Sequence, residues 1–134
     1  MEHRGGCQCG SVRYAVSGDP MHVAICHCAD CRKSSGAPMV AWAMFAADQF
    51  ALTQGEVTTF NSSGASMRNF CPKCGTGVFF TNEENLPGII DVQSATLDDP
   101  DALPAQVHIQ TAERIGWMAQ LHALPEFARF PGQD

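Results

Sequence analysis

Seven cysteines in three tight groups constrain this chain more than any other feature. The groups read C-x-C from Cys7 to Cys9, C-H-C-x-x-C from Cys26 to Cys31 and C-x-x-C from Cys71 to Cys74. Because an odd number of cysteines leaves one thiol over, a framework built only of disulfides does not account for them. In a reducing compartment, clustered cysteines hold metal or perform redox chemistry more often than they form structural bridges. The pattern therefore favours zinc.

Length and charge narrow the class of protein further. With 134 residues the chain is long enough for one domain with its own core, so we predict a single domain over residues 1–134. Its 8 Lys and Arg against 14 Asp and Glu give a net charge of −6. No excess of positive charge is present to neutralise phosphates, so neither nucleic acid nor a membrane surface is expected as a partner.

The distribution of apolar residues bears on the cellular compartment. Met1 to Gly10 contain no apolar stretch of the kind found in a signal peptide. The longest apolar run, Pro38 to Ala47, is shorter than the ~20 residues that a membrane-spanning helix needs. We therefore predict a cytoplasmic protein.

Short segments with period-two alternation or with many β-branched and aromatic residues recur along the chain, separated by turn signals. This spacing is typical of a sheet-rich domain, so we predict a mainly β fold. The predicted strands are Ser11 to Val16, His22 to Cys26, Met39 to Phe45, Val57 to Phe60, Gly77 to Phe80, Ile89 to Ser94 and Gln106 to Thr111.

Little of the chain has helical character. Ala29 to Ser35 can form one or two helical turns, and Trp117 to Ala123 can add another. The final segment, Leu124 to Asp134, contains two prolines and the rings of Phe127 and Phe130. We expect it to be an irregular strap whose aromatic rings pack onto the body of the domain.

The last cysteine group has the outline of a zinc knuckle. Cys71 and Cys74 lie on a tight turn that directs two sulfurs at one metal, and Gly75 allows the backbone to turn there. A knuckle supplies two ligands of a closed tetrahedral site, and Cys7 and Cys9 are the natural second pair. The alternative is a redox C-x-x-C motif, which normally begins a helix within a βαβ unit, and that pattern is absent here.

The middle group places three sulfurs within six residues. Three protein thiolates with one exchangeable ligand are typical of a catalytic zinc, whose open position binds water or a substrate thiol. A closed Cys3His site is the alternative, with His27 the nearest candidate. However, His27 points away if Cys26 and Cys28 share one side of an extended segment. Spacing alone leaves open this choice and also which cysteines share a metal.

The residues that follow the middle group are candidates for substrate contacts. Arg32 and Lys33 have the charge to attract an anionic substrate, and the alternative is a solvated pair. Ser34, Ser35 and Gly36 offer hydroxyl and amide donors near the metal, or else serve only as turn residues.

Together, the cysteine segments resemble the glutathione-dependent formaldehyde-activating enzyme family, also called the family of centromere protein V. The resemblance follows the family's order and covers nearly the whole chain. It rests on Gly6 to Tyr14, Cys26 to Gly36 and Phe70 to Thr76, and in the last part on His108-Ile109, Trp117 and Leu124 to Phe127.

This resemblance implies a mainly β fold, a small zinc-stabilised tent of short antiparallel sheets. It also implies a zinc-dependent carbon–sulfur lyase that acts on the adduct of a thiol and an aldehyde, of the S-hydroxymethylglutathione type, with glutathione or another small thiol as partner. The alternative is a non-catalytic binding module in which both zinc ions are structural. The implied ligands are Cys7, Cys9, Cys71 and Cys74 for a structural zinc, and Cys26, Cys28 and Cys31 for a catalytic zinc.

Overall fold

The computed structural model describes residues 1–133, in which ten strands and one α-helix are joined by short 3-10 segments. The mainly β fold is thereby confirmed. The strands are β1 (Glu2–Gly6), β2 (Arg13–Ser17), β3 (His22–Cys26), β4 (Val40–Ala46), β5 (Phe50–Gln54), β6 (Thr58–Ser63), β7 (Ser66–Phe70), β8 (Gly77–Asn82), β9 (Leu86–Gln93) and β10 (Val107–Ile109). Helix α1 spans Ala29–Ser35, and the 3-10 segments are Ala47–Gln49, Ser94–Thr96, Pro100–Ala102, Thr111–Glu113 and Gly116–Ala123.

The strands form two sheets. The small sheet has the order β1-β2-β5, and the large sheet has the order β10-β3-β4-β9-β8-β7-β6. Neighbouring strands are antiparallel except at one edge, where β10 runs parallel to β3 with Ile109 opposite Cys26. The antiparallel expectation is wrong for this pair. A long connection separates the two strands in sequence, so no hairpin forces them to run in opposite directions.

The two faces of the large sheet have different roles because side chains alternate along each strand. One face packs against the small sheet. The core between the two sheets includes Tyr14 from the small sheet and Ala43 and Phe45 from the large sheet. On the opposite face of β4, Val40 and Trp42 pack with Cys26 and Cys31. The sheet therefore separates the main core from the three cysteines of the middle group.

Three strands have no counterpart in the sequence prediction. β1 reads EHRGG and carries mainly polar residues and glycine, which are not typical of strands. β5 has four exposed residues out of five, and β7 reads SMRNF, with polar side chains on both faces. These strands form through pairing with their neighbours rather than through local propensity. Helix α1, by contrast, matches the predicted segment at both ends.

The expectation for the last segment is wrong. Phe127 is 62% exposed and Phe130 is 79% exposed, so their rings do not pack onto the body of the domain. Within residues 1–133, no strand pairing holds the chain after Ile109 against either sheet. No helix within residues 1–133 has the length and apolarity required to cross a membrane.

Candidate metal centres

Two turns between strands bring four cysteines to one point. Cys7 and Cys9 lie in the connection from β1 to β2, and Cys71 and Cys74 lie in the connection from β7 to β8. Their sulfur atoms all lie within 4.8 Å of one another, so they could hold one metal ion. Cys71 is fully buried, whereas Cys9 and Cys74 are exposed. We call these residues the four-cysteine group.

Neutral donors surround these four sulfurs. The Val12 amide donates to Cys7 Sγ at 3.2 Å, and the Lys73 amide donates to Cys71 Sγ at 3.4 Å. The Thr76 hydroxyl lies 3.2 Å from Cys74 Sγ. Through this hydroxyl and the Thr76 amide, the pKa of Cys74 falls to about 5. Convergent sulfurs supported by hydrogen-bond donors fit a closed zinc site.

The remaining three cysteines meet at the start of helix α1. Cys26 is the last residue of β3, Cys28 caps the helix, and Cys31 lies on its buried side. The cap forms because Cys28 Sγ accepts a hydrogen bond from the Cys31 amide at 3.3 Å. The three sulfurs lie within 4.8 Å of one another and could also hold a metal ion. We call these residues the three-cysteine group.

Titration of the three thiols is strongly linked. Hydrogen bonds with Cys26, Cys28 and Arg68 together lower the pKa of Cys31 to about 5, against the opposing effect of burial. The same interaction with Cys31, together with burial, raises the pKa of Cys26 well above its ordinary value. Cys31 is therefore the most readily ionised thiol of the group, and thiolates are the form in which cysteine binds metal.

His27 does not join these sulfurs. Its ring is 1% exposed and stacks on His108, with 2.9 Å between His27 Nε2 and His108 Nδ1. No histidine of residues 1–133 has a ring nitrogen within the cluster of the three sulfurs. The geometry thus agrees with a side chain directed away from Cys26 and Cys28, and it gives no support to a Cys3His site.

Arg68, on β7, contacts the three-cysteine group, a role that no sequence motif indicates. Its Nη1 donates to Cys31 Sγ at 3.5 Å, and its Nη2 donates to Asp30 Oδ2 at 2.7 Å. Its Nε donates to Ser62 Oγ at 3.0 Å. Asp30 also accepts a hydrogen bond from the Ser62 hydroxyl at 2.8 Å. The packing of helix α1 against the sheet and the pairing of β6 with β7 create these contacts, so spacing along the chain cannot reveal them.

Asp91 is a second polar residue that sequence reasoning missed. It lies on β9 opposite Met44 and Phe80, and its exposed fraction is 7%. Its carboxylate accepts no side-chain hydrogen bond from the described part of the chain. Burial raises its pKa to about 6, with the nearby Cys31 adding to the shift and His22 opposing it. A carboxyl of this kind changes its charge near neutral pH.

A cavity of about 350 Å³ is lined by residues that contact each of the two cysteine groups. Trp42 and Arg68 line it beside the three-cysteine group, and Thr76 lines it beside the four-cysteine group. Within residues 1–133, Arg68 is the one charged residue that lines the cavity, and it is paired with Asp30. The other walls are aromatic or neutral and polar: Ser34, Ser35, Asn69, Phe70, Gly75, Gly77, Phe79, Gln93 and Thr96.

The structure separates the candidates that follow Cys31 in sequence. Ser34 and Ser35 line the cavity that Trp42, Arg68 and Thr76 also line. Arg32, Lys33 and Gly36 instead line a different cavity, beside Trp117. The two cations therefore do not add charge to the cavity beside the metal sites.

Fold and site together define a class: mainly β proteins that carry one group of four cysteines and one of three, both suited to a metal ion. The chain belongs to the family of glutathione-dependent formaldehyde-activating enzymes, whose model matches residues 2–113.

Comparison with individual proteins agrees with this assignment. An uncharacterized lyase of Schizosaccharomyces pombe is 29% identical over 87 residues, which are 63% of this chain. The match spans 62% of that protein, less than two thirds of its length. A crystal structure of a Rhodobacter sphaeroides protein has a similar fold, with a TM-score of 0.62 at 21% identity over 78% of this chain and 98% of that one.

Proposed function

We propose that this protein is a zinc-dependent enzyme that joins a small thiol to an aldehyde and, in reverse, cleaves the adduct as a carbon–sulfur lyase. The physiological adduct is of the S-hydroxymethylglutathione type, as the family's name suggests. One observation carries the proposal: three sulfurs converge, and no histidine or carboxylate of residues 1–133 completes the set. Trp42 and Arg68, which contact this group, also line a cavity.

The two cysteine groups have different roles in this proposal. The residues of the four-cysteine group hold a structural zinc, because four thiolates fill a tetrahedral site. Cys26, Cys28 and Cys31 hold the catalytic zinc. When bound there, zinc supplies a vacant position for the substrate thiol and lowers the pKa of that thiol.

Residues of the cavity position the two reactants. Trp42 and Phe79 provide apolar walls, and Ser35 provides a hydroxyl group. In adduct formation, a sulfur lone pair forms the new C–S bond, and the electron pair of the C=O bond moves to oxygen. That oxygen takes up the proton that the thiol released. The Ser35 hydroxyl can donate to this oxygen and stabilise its developing charge.

The function is tested by the rate of exchange between free aldehyde and adduct. We would mix ¹³C-formaldehyde with glutathione, whose adduct forms spontaneously, and measure the exchange rate by NMR with and without the zinc-loaded protein. The protein is expected to raise the rate, and Cys28→Ser is expected to abolish the increase. Met21→Ser, at a position that is 56% exposed, is the control that retains it.

Smaller thiols complete this experiment. If glutathione is not the substrate, cysteine or 2-mercaptoethanol should show the protein-dependent increase instead. An exchange rate equal to that in buffer for every thiol tested would contradict the proposed function. That result would favour a zinc-stabilised binding module.

A further inference from the structure

Arg68 is held much more firmly than an ordinary arginine on a sheet. Nitrogen atoms at three positions of its guanidinium donate to Cys31, Asp30 and Ser62, at 3.5, 2.7 and 3.0 Å. Its side chain is only 11% exposed. The guanidinium carbon lies 4.6 Å from the ring centre of Phe80 and 5.8 Å from that of Trp42. Its orientation is therefore fixed by hydrogen bonds at the edge and by aromatic rings at the face.

The two cysteine groups differ in the charge of their hydrogen-bond donors. Within residues 1–133, the sulfurs of the four-cysteine group are approached by backbone amides and by the hydroxyl groups of Ser11 and Thr76, all of which are neutral. A guanidinium donates to the three-cysteine group. A charged donor gives a stronger hydrogen bond to a thiolate and also offsets its negative charge.

This difference matters for a site that accepts a further anion. Three thiolates around a divalent cation leave one unit of negative charge, and an arriving thiolate raises it to two. In a site with little water, that additional charge is costly unless a positive group lies close by. The closed group takes no further ligand and has no such need.

We propose that Arg68 is a positioning residue of the three-cysteine group. It holds the sulfur of Cys31 in place and supplies the positive charge that allows the group to accept an anionic thiol as an additional ligand. Asp30 and Ser62 orient the guanidinium for this role. The inference rests on the proposed function, because it assigns a thiol as the molecule that arrives at this group.

The test compares three variants loaded with cobalt(II) in place of zinc. Glutathione is titrated into each protein, and the sulfur-to-cobalt charge-transfer absorbance reports binding. Arg68→Met is expected to weaken glutathione binding about tenfold or more, on the order of 1.4 kcal/mol. Arg68→Lys should lose less, because it keeps the charge and lacks the planar fork. Arg13→Met is the matched control, because Arg13 is an arginine of β2 that is paired with Asp98. This variant should bind glutathione as the unmodified protein does.

A second readout separates failure of this inference from failure of the proposed function. Competition with a chelator should remove cobalt from the three-cysteine group about tenfold more readily in Arg68→Met, whereas the four-cysteine group keeps its cobalt and reports an intact fold. If the unmodified protein does not respond to any thiol, the proposed function fails, and the chelator experiment still decides the role of Arg68. Glutathione affinity and cobalt retention within about twofold of the unmodified protein in folded Arg68→Met would overturn the inference.

Discussion

Tyr14 is the only tyrosine of the chain, which makes its ionisation directly measurable. Its side chain is 1% exposed, and its hydroxyl lies 2.7 Å from Thr96 Oγ1. Burial raises its pKa to about 12, more than the Thr96 hydrogen bond lowers it. Ionisation of Tyr14 therefore destabilises the folded protein, because the buried phenolate loses its hydration.

The pKa of Tyr14 predicts the alkaline limit of stability. Its folded value of about 12 exceeds the ordinary value of 10.0, so the neutral phenol contributes full stability below about pH 10. That contribution, on the order of 3 kcal/mol, is lost as pH rises toward 12. Ultraviolet absorbance should show tyrosinate appearing near pH 12 in the folded protein, with no such signal in Tyr14→Phe. Ionisation of Tyr14 near pH 10 in protein that stays folded would contradict this prediction.

At the scale of elements, helix α1 depends on its two ends. Cys28 caps the start, and Gly36 ends the helix with a φ of 63°, while its amide donates to the Arg32 carbonyl at 2.8 Å. A Cβ at Gly36 would meet nothing within 4 Å, so only the left-handed backbone conformation opposes a side chain there.

Substitution of Gly36 tests this helix end. Gly36→Ala is expected to lower the free energy of unfolding by about 1 kcal/mol, and Gly36→Asn by less, because asparagine tolerates the left-handed region better. Urea denaturation of the zinc-loaded protein measures both. Equal stability of Gly36→Ala and the unmodified protein would show that φ at this position is not restricted.

The elements also show what sequence can predict. Strand β3 and helix α1 have the bounds that the sequence predicts. In β3, the segment HVAIC includes two β-branched residues and is mostly apolar. The sequence does not predict strand β5 because four of its five residues are exposed and the strand is held by its pairing with β2. Local pattern identifies segments that bury side chains, and it fails for segments held by pairing alone.

At the scale of the whole molecule, the sheets gather residues that are distant in sequence. The structure brings together the same two sets of cysteines that the family resemblance implied, although their roles as structural and catalytic ligands remain a prediction. Neither Arg68 nor Asp91 belongs to a sequence motif. Register across β7, β8 and β9 places them on the face of the sheet that holds the three-cysteine group.

The central claim is that one zinc is closed by four sulfurs and the other is held by three, with a position that a thiol can occupy. Zinc X-ray absorption on protein with two zinc ions per chain tests it most directly. We predict sulfur ligands at both ions with one lighter ligand at the second, and a gain of sulfur when glutathione is added. A histidine nitrogen at the second zinc, with a spectrum that glutathione leaves unchanged, would contradict the account.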